Sequence, residues 1–328
     1  MIITRTPLRI SFVGGGTDIK EYYQHANGKV LSTAINKYVY VIVKKQLGIV
    51  EYKYRINWSQ IELKNHIDEI NHPIVREVLR KFNINYPIEI TTVADIPAGT
   101  GLGSSSSFAV GLIHAICALE GLVKTKYELA SLAAEIEVDI LGRDMGKQDH
   151  FAAAYGNLNM ISFFSDERVE IEPVIYDEKN KDTLENNLLL FYTFMTRDAA
   201  KILESQIKAT INKFDTLTQM KDLVDPLSLT LKRGNNTDDF GKILHQNWML
   251  KKSLTSDISN STITKYYEKG LEAGALGGKL LGAGSGGFIL FYIRPEAKND
   301  VLSALSDLYP LSFKFDQSGT RITYYDRS

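Results

Sequence analysis

Apolar residues recur along the first half of the chain with the spacings that strands and helices require. Residues 2–13 are rich in β-branched and apolar side chains and end at three glycines, which predicts a strand that runs into a tight loop. Apolar residues at helical spacing predict a helix over residues 73–82. The same reasoning predicts further strands and helices over residues 38–43, 88–93, 108–122 and 126–141, of which the last two are helices.

A polar segment, residues 177–187, separates the two halves of the chain and is typical of a linker. Directly after it, a short apolar run predicts a strand over residues 188–192. The remaining pattern predicts helices over residues 198–214, 220–232, 238–253, 263–273 and 297–308, and strands over 288–293 and near 312–315 and 320–325. A chain of 328 residues exceeds what one core usually supports. We therefore predict two domains, residues 1–180 and 188–328.

Composition narrows the class of protein. With 44% hydrophobic and 23% charged residues the chain is an ordinary globular one. Its 38 basic and 39 acidic side chains give a net charge of -1, which argues against nucleic acid as a partner. No leader or membrane-spanning run is evident, so we expect no membrane association and a cytoplasmic location. The single cysteine, Cys117, lies in an apolar run and is expected to be a buried hydrophobe.

The strongest local signal is the glycine and serine segment 96–107, between a predicted strand and a predicted helix. Glycines let backbone N–H groups approach an anion, serines can cap the helix, and the helix dipole is positive at this end. A flexible linker or an ordinary serine cap would use fewer of these residues. The segment therefore favours a phosphate-binding loop.

Two common nucleotide motifs are absent. No Gly-Lys pair is followed by Ser or Thr, which excludes a Walker loop. Gly282, Gly284 and Gly287 satisfy the pattern of a dinucleotide fingerprint, but a predicted strand follows them where that fold needs a helix. These glycines fit either a tight hairpin or a close approach of backbone to a ligand.

Three segments in order, residues 7–18, 97–106 and 281–287, resemble the three motifs of the GHMP kinases. The resemblance covers nearly the whole chain. Within that superfamily, residues 6–18 and 142–149 most resemble the heptose 7-phosphate kinases, with the fucokinases as near neighbours. The resemblance implies an α+β, two-lobed GHMP kinase fold with a ferredoxin-like C-terminal domain and the active site between the lobes. It also implies ATP and Mg²⁺ as cofactors, and a sugar phosphate as the acceptor.

The resemblance assigns roles residue by residue. Asp149 matches the catalytic aspartate, although Asp144 competes for that role in the same segment and a lone Asp in a loop is usually a turn residue. Arg9 matches the basic residue that faces the acceptor hydroxyl. Ser105 and Glu137 match oxygen ligands of Mg²⁺, although Glu137 could instead be a solvated carboxylate on the helix face, like Glu135. The residues expected around the ATP phosphates are Gly99, Gly101, Leu102, Gly103, Ser104, Ser105 and Ser106.

The acceptor site is expected at the first and third motifs. Thr17 and Asp18 match positions that hold sugar hydroxyls, although an Asx-type turn would explain them as well. Gly16, Gly284 and Gly286 are expected beside them. The candidate cations for a distal phosphate are Arg143, Lys147 and Arg197, each of which could also be a solvated charge.

Alternative functions stay open on sequence grounds. A kinase of an unphosphorylated sugar such as fucose or galactose would use the same motifs, and Thr17-Asp18 suits a polyol better than an isoprenoid alcohol. A non-catalytic sensor of sugar and nucleotide would share the fold. Intact Arg9, Ser105, Glu137 and Asp149 argue against the sensor.

Overall fold

The computed structural model describes residues 1–195, 199–233 and 238–326. Its strands are β1 Ile2–Val13, β2 Gly28–Lys45, β3 Tyr54–Asn57, β4 Ile61–Lys64, β5 Ile88–Ala94, β6 Leu158–Phe163, β7 Val169–Pro173, β8 Leu188–Tyr192, β9 Ala275–Leu280, β10 Phe288–Ile293, β11 Tyr309–Leu311 and β12 Arg321–Tyr325. Its α-helices are α1 Lys20–Tyr23, α2 Pro73–Lys81, α3 Ser104–Glu120, α4 Lys126–Ala134, α5 Gln148–Tyr155, α6 Glu178–Asn187, α7 Ala199–Thr210, α8 Phe214–Asp222, α9 Val224–Arg233, α10 Asp238–Lys252, α11 Ser261–Glu272 and α12 Lys298–Ala304. A π-helical turn, Glu135–Ile140, continues α4, and short 3₁₀ turns cover Ile67–Glu69, Ile211–Lys213, Ser256–Ile258 and Pro295–Ala297.

The first sheet is organised around the long strand β2. Its C-terminal part pairs with β5, and its N-terminal part pairs with β6, while β1 runs antiparallel to it along nearly its whole length. The order of the main path is β12-β1-β2-β5-β3-β4. The register between β1 and β2 shifts between Pro7 and Leu8, just before Arg9. A bulge changes the direction of the side chains that follow it, and this bulge precedes Arg9, a residue of the site.

Helix α3 lies on this sheet and is buried on nearly every side. Its residues carry no charge before Glu120, and the Thr4 hydroxyl donates to the Gly111 carbonyl at 2.9 Å, which fastens the helix to β1. The prediction that serines cap this helix is wrong. Its N-cap is Gly103, with φ 76°, and the serines begin the helix itself. Glycine adopts this left-handed conformation without steric cost, so the serine hydroxyls of the first turn stay available for other partners.

The second sheet is antiparallel with the order β11-β8-β10-β9. Counted along the chain, its strands therefore stand in the order fourth, first, third, second, which is the ferredoxin-like arrangement. Helices follow β8 and separate β10 from β11, as that motif requires. The predicted ferredoxin-like C-terminal fold is confirmed.

Some predicted elements differ from the structure. The polar segment expected to be a linker forms helix α6, capped by the Asp177 side chain, which accepts from the Asn180 N–H. The helix expected over residues 220–232 is divided between α8 and α9, and the strand near 312–315 lies earlier, as β11. Strand β12 returns to the first sheet and pairs with β1. The domain limits at 180 and 188 stay a prediction. Across the described ranges, no helix is long and apolar enough to span a membrane.

Candidate active site

A cleft of about 580 Å³ lies where the loops of the two sheets meet. One wall comes from the loop after β1, the glycine loop before α3 and the segment before α5. The opposite wall comes from α7, α10 and the loop between β9 and β10. The predicted residues that line it are Arg9, Gly16, Asp18, Gly99, Gly101, Gly103, Ser104, Ser105, Ser106, Arg143, Asp149, Gly284 and Gly286. The structure thus brings most of the sequence candidates to one place.

The glycine loop is held against the loop of the second sheet by direct backbone contact. A Cβ atom on Gly101 would lie 2.6 Å from the Leu281 carbonyl oxygen, and one on Gly282 would lie 2.5 Å from the Gly101 Cα. Both glycines also have positive φ, 85° and 73°. Only glycine fits these two positions without displacing backbone. Gly282 of the third motif therefore serves close packing against the loop that leads into α3.

Arg9 and Asp149 form a bidentate ion pair in this cleft. Arg9 Nε and Nη2 donate to the two carboxylate oxygens of Asp149, each at 2.6 Å, and Nη1 donates to the Gly101 carbonyl at 2.7 Å. The pair is largely buried, with side-chain exposures of 7% and 14%. A fork-to-fork pair fixes both the position and the orientation of the carboxylate. Asp149 lies in the first turn of α5, not in a loop as the sequence suggested.

Ser105 and Glu137 converge from two different helices. The Ser105 hydroxyl donates to Glu137 Oε1 at 2.5 Å, and Arg143 Nη1 donates to both the hydroxyl, at 2.8 Å, and the same Oε1. His150 Nε2 lies 2.9 Å from Glu137 Oε2. Glu137 is fully buried in the π-helical turn after α4, so it is not a solvated carboxylate like Glu135.

The pKa of Glu137 reflects this environment. Burial alone would raise it, but the hydrogen bond from His150, the hydrogen bond from Ser105 and the charge of Arg143 outweigh burial and hold the pKa of Glu137 below its ordinary value. The carboxylate is therefore ionised. Its Oε1 atom and the hydroxyl oxygen of Ser105 both accept from the guanidinium group of Arg143. Oxygen donors of this kind suit a hard divalent cation, so the residues fit the expected Mg²⁺.

Asp18 lies in the same cleft and accepts hydrogen bonds from the N–H groups of Gly16, at 2.9 Å, and Gln148, at 3.2 Å. Burial, followed by the negative charge of Asp149, raises the pKa of Asp18 above its ordinary value. Its carboxyl group thus serves the turn after β1 and also faces the cleft. The turn and the sugar-contact interpretations of this residue are compatible.

Three other candidates do not reach the cleft. The Thr17 hydroxyl donates to the Gly14 and Lys29 carbonyls, at 2.8 Å and 3.1 Å, and lies buried away from the cleft. Lys147 pairs with Glu167 and lies over the Tyr23 ring. Leu102 is buried in the core, and its carbonyl accepts the Arg9 N–H at 3.0 Å. Arg197 lies outside the described residues.

Two lysines of the cleft were missed from the sequence. Lys279 is buried in β9, and its ammonium group donates to the Ser11 and Phe12 carbonyls, each at 2.8 Å. Lys251, on α10, is partly buried and donates to the Gly282 carbonyl. A signal existed for Lys279, which is a lone charge in a run of glycine and apolar residues. Lys251 had none, because it is one of two adjacent lysines at the end of an amphipathic helix.

The site can position a hydroxyl group beside a fixed carboxylate and hold phosphate groups on a glycine loop at a helix N-terminus. Residues 69–157 match the GHMP kinases N terminal domain, and residues 227–311 match the GHMP kinases C terminal domain. The chain belongs to the GHMP kinases, and it is accordingly an ATP-dependent phosphotransferase that acts on an alcohol group.

Individual relatives show which members of this family the chain is similar to. The chain is 31% identical to a D-glycero-alpha-D-manno-heptose 7-phosphate kinase of Campylobacter jejuni, over 98% of both proteins. It is 26% identical to an L-fucokinase/L-fucose-1-P guanylyltransferase of Bacteroides fragilis, over 93% of this chain and 36% of that protein. Among solved structures, it resembles a D-glycero-D-manno-heptose 1-phosphate kinase from Bacteroides thetaiotaomicron with a TM-score of 0.81, at 25% identity and over 99% of this chain and 100% of that one.

Proposed function

We propose that this chain is a sugar kinase that transfers the γ-phosphoryl group of ATP to the anomeric hydroxyl of D-glycero-D-manno-heptose 7-phosphate. The observation that carries the transfer itself is the bidentate pair of Arg9 and Asp149 beside the glycine loop. The acceptor is inferred from the heptose 7-phosphate kinase relative, which matches the chain over nearly its whole length.

Asp149 is the proton acceptor of the reaction. Its carboxylate is held by both nitrogen atoms of the Arg9 fork, so it cannot rotate away from the acceptor hydroxyl. Arg9 also offsets negative charge as the phosphoryl group moves, and its bond to the Gly101 carbonyl aligns the glycine loop with the acceptor. Alignment and charge neutralisation are the main contributions that a protein makes to phosphoryl transfer.

Ser105 and Glu137 hold Mg²⁺ in this proposal. The ion supplies charge neutralisation at the nucleotide phosphates when it is bound. His150 fixes the carboxylate from its other oxygen, so that Oε1 stays directed at the Ser105 hydroxyl. Arg143 balances the same carboxylate with its own charge. Within the described residues, no cluster of three metal-binding side chains occurs, which fits an ion that depends on phosphate and water for its other ligands.

We predict that replacing either oxygen donor weakens the use of Mg²⁺. In Ser105→Ala and Glu137→Gln the Mg²⁺ concentration for half-maximal rate should rise by at least about tenfold, because each change removes a group that holds the ion. Glu135→Gln, in the same π-helical turn, is the control, since Glu135 pairs with Lys81 on the outside. A crystal structure with Mg²⁺ and an ATP analogue in which both side chains lie more than one water from the ion would contradict the assignment.

We predict a strong preference for the phosphorylated acceptor. The kcat/KM for the heptose 7-phosphate should exceed that for free mannose, fucose or galactose by on the order of 10², because charge-assisted contacts to a phosphate are strong in a partly dry cleft. Steady-state assays of ATP consumption with this panel decide it. Equal rates on a free sugar would remove the heptose assignment and leave a general sugar kinase. No consumption of ATP with any sugar would favour the non-catalytic sensor.

A further inference from the structure

Lys251 is a charged residue of the cleft that the proposed reaction leaves without a role. It lines the cleft from α10, and the hydrogen bond that its ammonium group makes to the described residues goes to the Gly282 carbonyl. An ammonium group carries three N–H donors, so two remain for a ligand. Lys252, the next residue, does not line the cleft.

The charges around Lys251 leave room for an anion. Among the residues that the structure describes, the titratable groups whose charges act on it are Arg9, Asp18, Asp149 and Lys279. Arg9 and Asp149 neutralise each other in their bidentate pair. The remainder is Lys251 and Lys279 against one carboxyl group, Asp18. Burial and the charges of Lys251 and Arg9 lower the pKa of Lys279 well below its ordinary value, and burial and the charge of Asp149 raise the pKa of Asp18. Both shifts disfavour charge on these two neighbours, so the positive charge of Lys251 has no fixed counter-charge in the cleft and favours a negatively charged ligand.

The two lysines are not equivalent. Lys279 uses two of its donors on the Ser11 and Phe12 carbonyls, so it fastens β9 to the end of β1. Lys251 has more donors to spare and lies at the loop that touches Gly101. It is therefore the better placed of the two for contact with a ligand that enters between the glycine loop and Asp149.

We propose that Lys251 binds phosphoryl oxygen atoms in this cleft and that the neutral fraction of its side-chain amine takes up a proton to become ammonium when a phosphate group binds. This inference rests on the proposed sugar kinase function and deepens it. The phosphoryl oxygens can belong to the distal phosphate of the acceptor or to the group transferred from ATP. The chemistry of the contact is the same in both cases, so the experiment must separate the two sources.

The proton gain follows from the surroundings of Lys251. Burial and the charge of Arg9 lower its pKa to about 8, against the opposing effect of Asp18 and Asp149. In the empty cleft the side chain is therefore about half neutral near pH 8 and about nine-tenths neutral near pH 9. A phosphate dianion beside it stabilises the charged form and raises its pKa. Binding should take up about half a proton near pH 8 and nearly one near pH 9.

Isothermal titration calorimetry at these two pH values, in two buffers of different ionisation enthalpy, measures the uptake directly. The probes are heptose 7-phosphate, a non-hydrolysable ATP analogue with Mg²⁺, and inorganic phosphate. Phosphate groups are already dianions at both pH values, so uptake that grows with pH reports on the protein. Uptake with the sugar phosphate alone assigns Lys251 to the acceptor, and uptake with the ATP analogue alone assigns it to the transferred group.

Three variants make the test specific. Lys251→Met should weaken the probe that shows uptake by about 10- to 100-fold and abolish the uptake. Lys251→Arg should keep much of the affinity but also abolish the uptake, because arginine stays charged in both states. Lys252→Met is the matched control and should behave like the natural chain. Thermal unfolding checks that each variant folds, and Lys251→Arg keeps the test decisive if Lys251→Met does not fold.

The outcomes separate this inference from the proposed function. Turnover of heptose 7-phosphate with uptake that is absent, or unchanged in Lys251→Arg, overturns the role of Lys251 and leaves the kinase assignment intact. Lys251-dependent uptake with the ATP analogue or inorganic phosphate, without turnover of the heptose phosphate, supports the phosphoryl contact and removes the acceptor assignment.

Discussion

Asp149→Asn is expected to lower kcat by about 10²–10⁴-fold, the range typical of the loss of a general base. Asparagine keeps the size of the side chain but cannot take up the proton of the acceptor hydroxyl. It also turns one oxygen that accepts from Arg9 into an N–H₂ group, which weakens the fork. Nucleotide affinity should change little, because within the described residues the hydrogen bonds that the Asp149 carboxylate accepts from side chains come from Arg9 and not from the glycine loop. Single-turnover rates and nucleotide titrations measure the two effects separately.

Asp144→Asn is the control for this prediction. Asp144 lines the same cleft and belongs to the same segment before α5, but it is exposed and pairs with none of the catalytic candidates in the described residues. Near-normal kcat in Asp149→Asn would remove Asp149 from the catalytic role. An equal loss in both folded variants would point to the segment as a whole.

Arg9→Met is expected to lower kcat by about 10²–10³-fold and, unlike Asp149→Asn, to raise the KM for ATP as well. The guanidinium group binds two partners at once, so its loss frees the Asp149 carboxylate and also releases the Gly101 carbonyl of the glycine loop. Methionine keeps much of the length and the apolar volume of the side chain, which limits the effect on packing. Steady-state kinetics with varied ATP and varied acceptor measure both parameters.

Arg5→Met is the matched control for Arg9→Met. Arg5 is on the same strand, but its guanidinium lies over the Tyr38 ring and 3.7 Å from Asp316, on a part of the sheet remote from the cleft. Arg5→Met should therefore keep kcat and the KM for ATP near their natural values, while Arg9→Met changes both. A loss of kcat in Arg9→Met with an unchanged KM for ATP would contradict the role of its bond to Gly101.

Elements of the fold were predictable where the spacing of apolar residues and the glycine or proline residues at the ends of the segment indicate the same limits. The limits of β1 are those that the apolar run and Gly14 indicate, and α2 and β10 also follow from pattern alone. Helix α6 was not predicted, because its ten residues are mostly charged or amide residues and show little apolar periodicity. The helix depends instead on its Asp177 cap. The N-cap of α3 was misassigned because serine is the commoner cap, whereas this turn needs a left-handed residue.

Some residues of the site could likewise be predicted from the sequence, and others could not. The resemblance to the GHMP kinases located Arg9 and Asp149, which the structure brings into contact, and Ser105 and Glu137, which it also joins. Local sequence could not show that Thr17 turns its hydroxyl to backbone, since three glycines before it permit either orientation. It could not reveal Lys251 at all, because its position in the cleft depends on how α10 packs on the other sheet.

The return of the chain to the first sheet bears on how the protein is made. Phe313 and Phe315 are buried in the core cluster that contains β1 and α3, and β12 then pairs with β1. All four strands of the second sheet precede these residues, so the ribosome has synthesised that sheet before the first one can be completed. Domains usually fold in the order of their synthesis. Here the first sheet gains its last strand and part of its core only after the second sheet has been synthesised, so its folding cannot be complete before the second half of the chain has emerged.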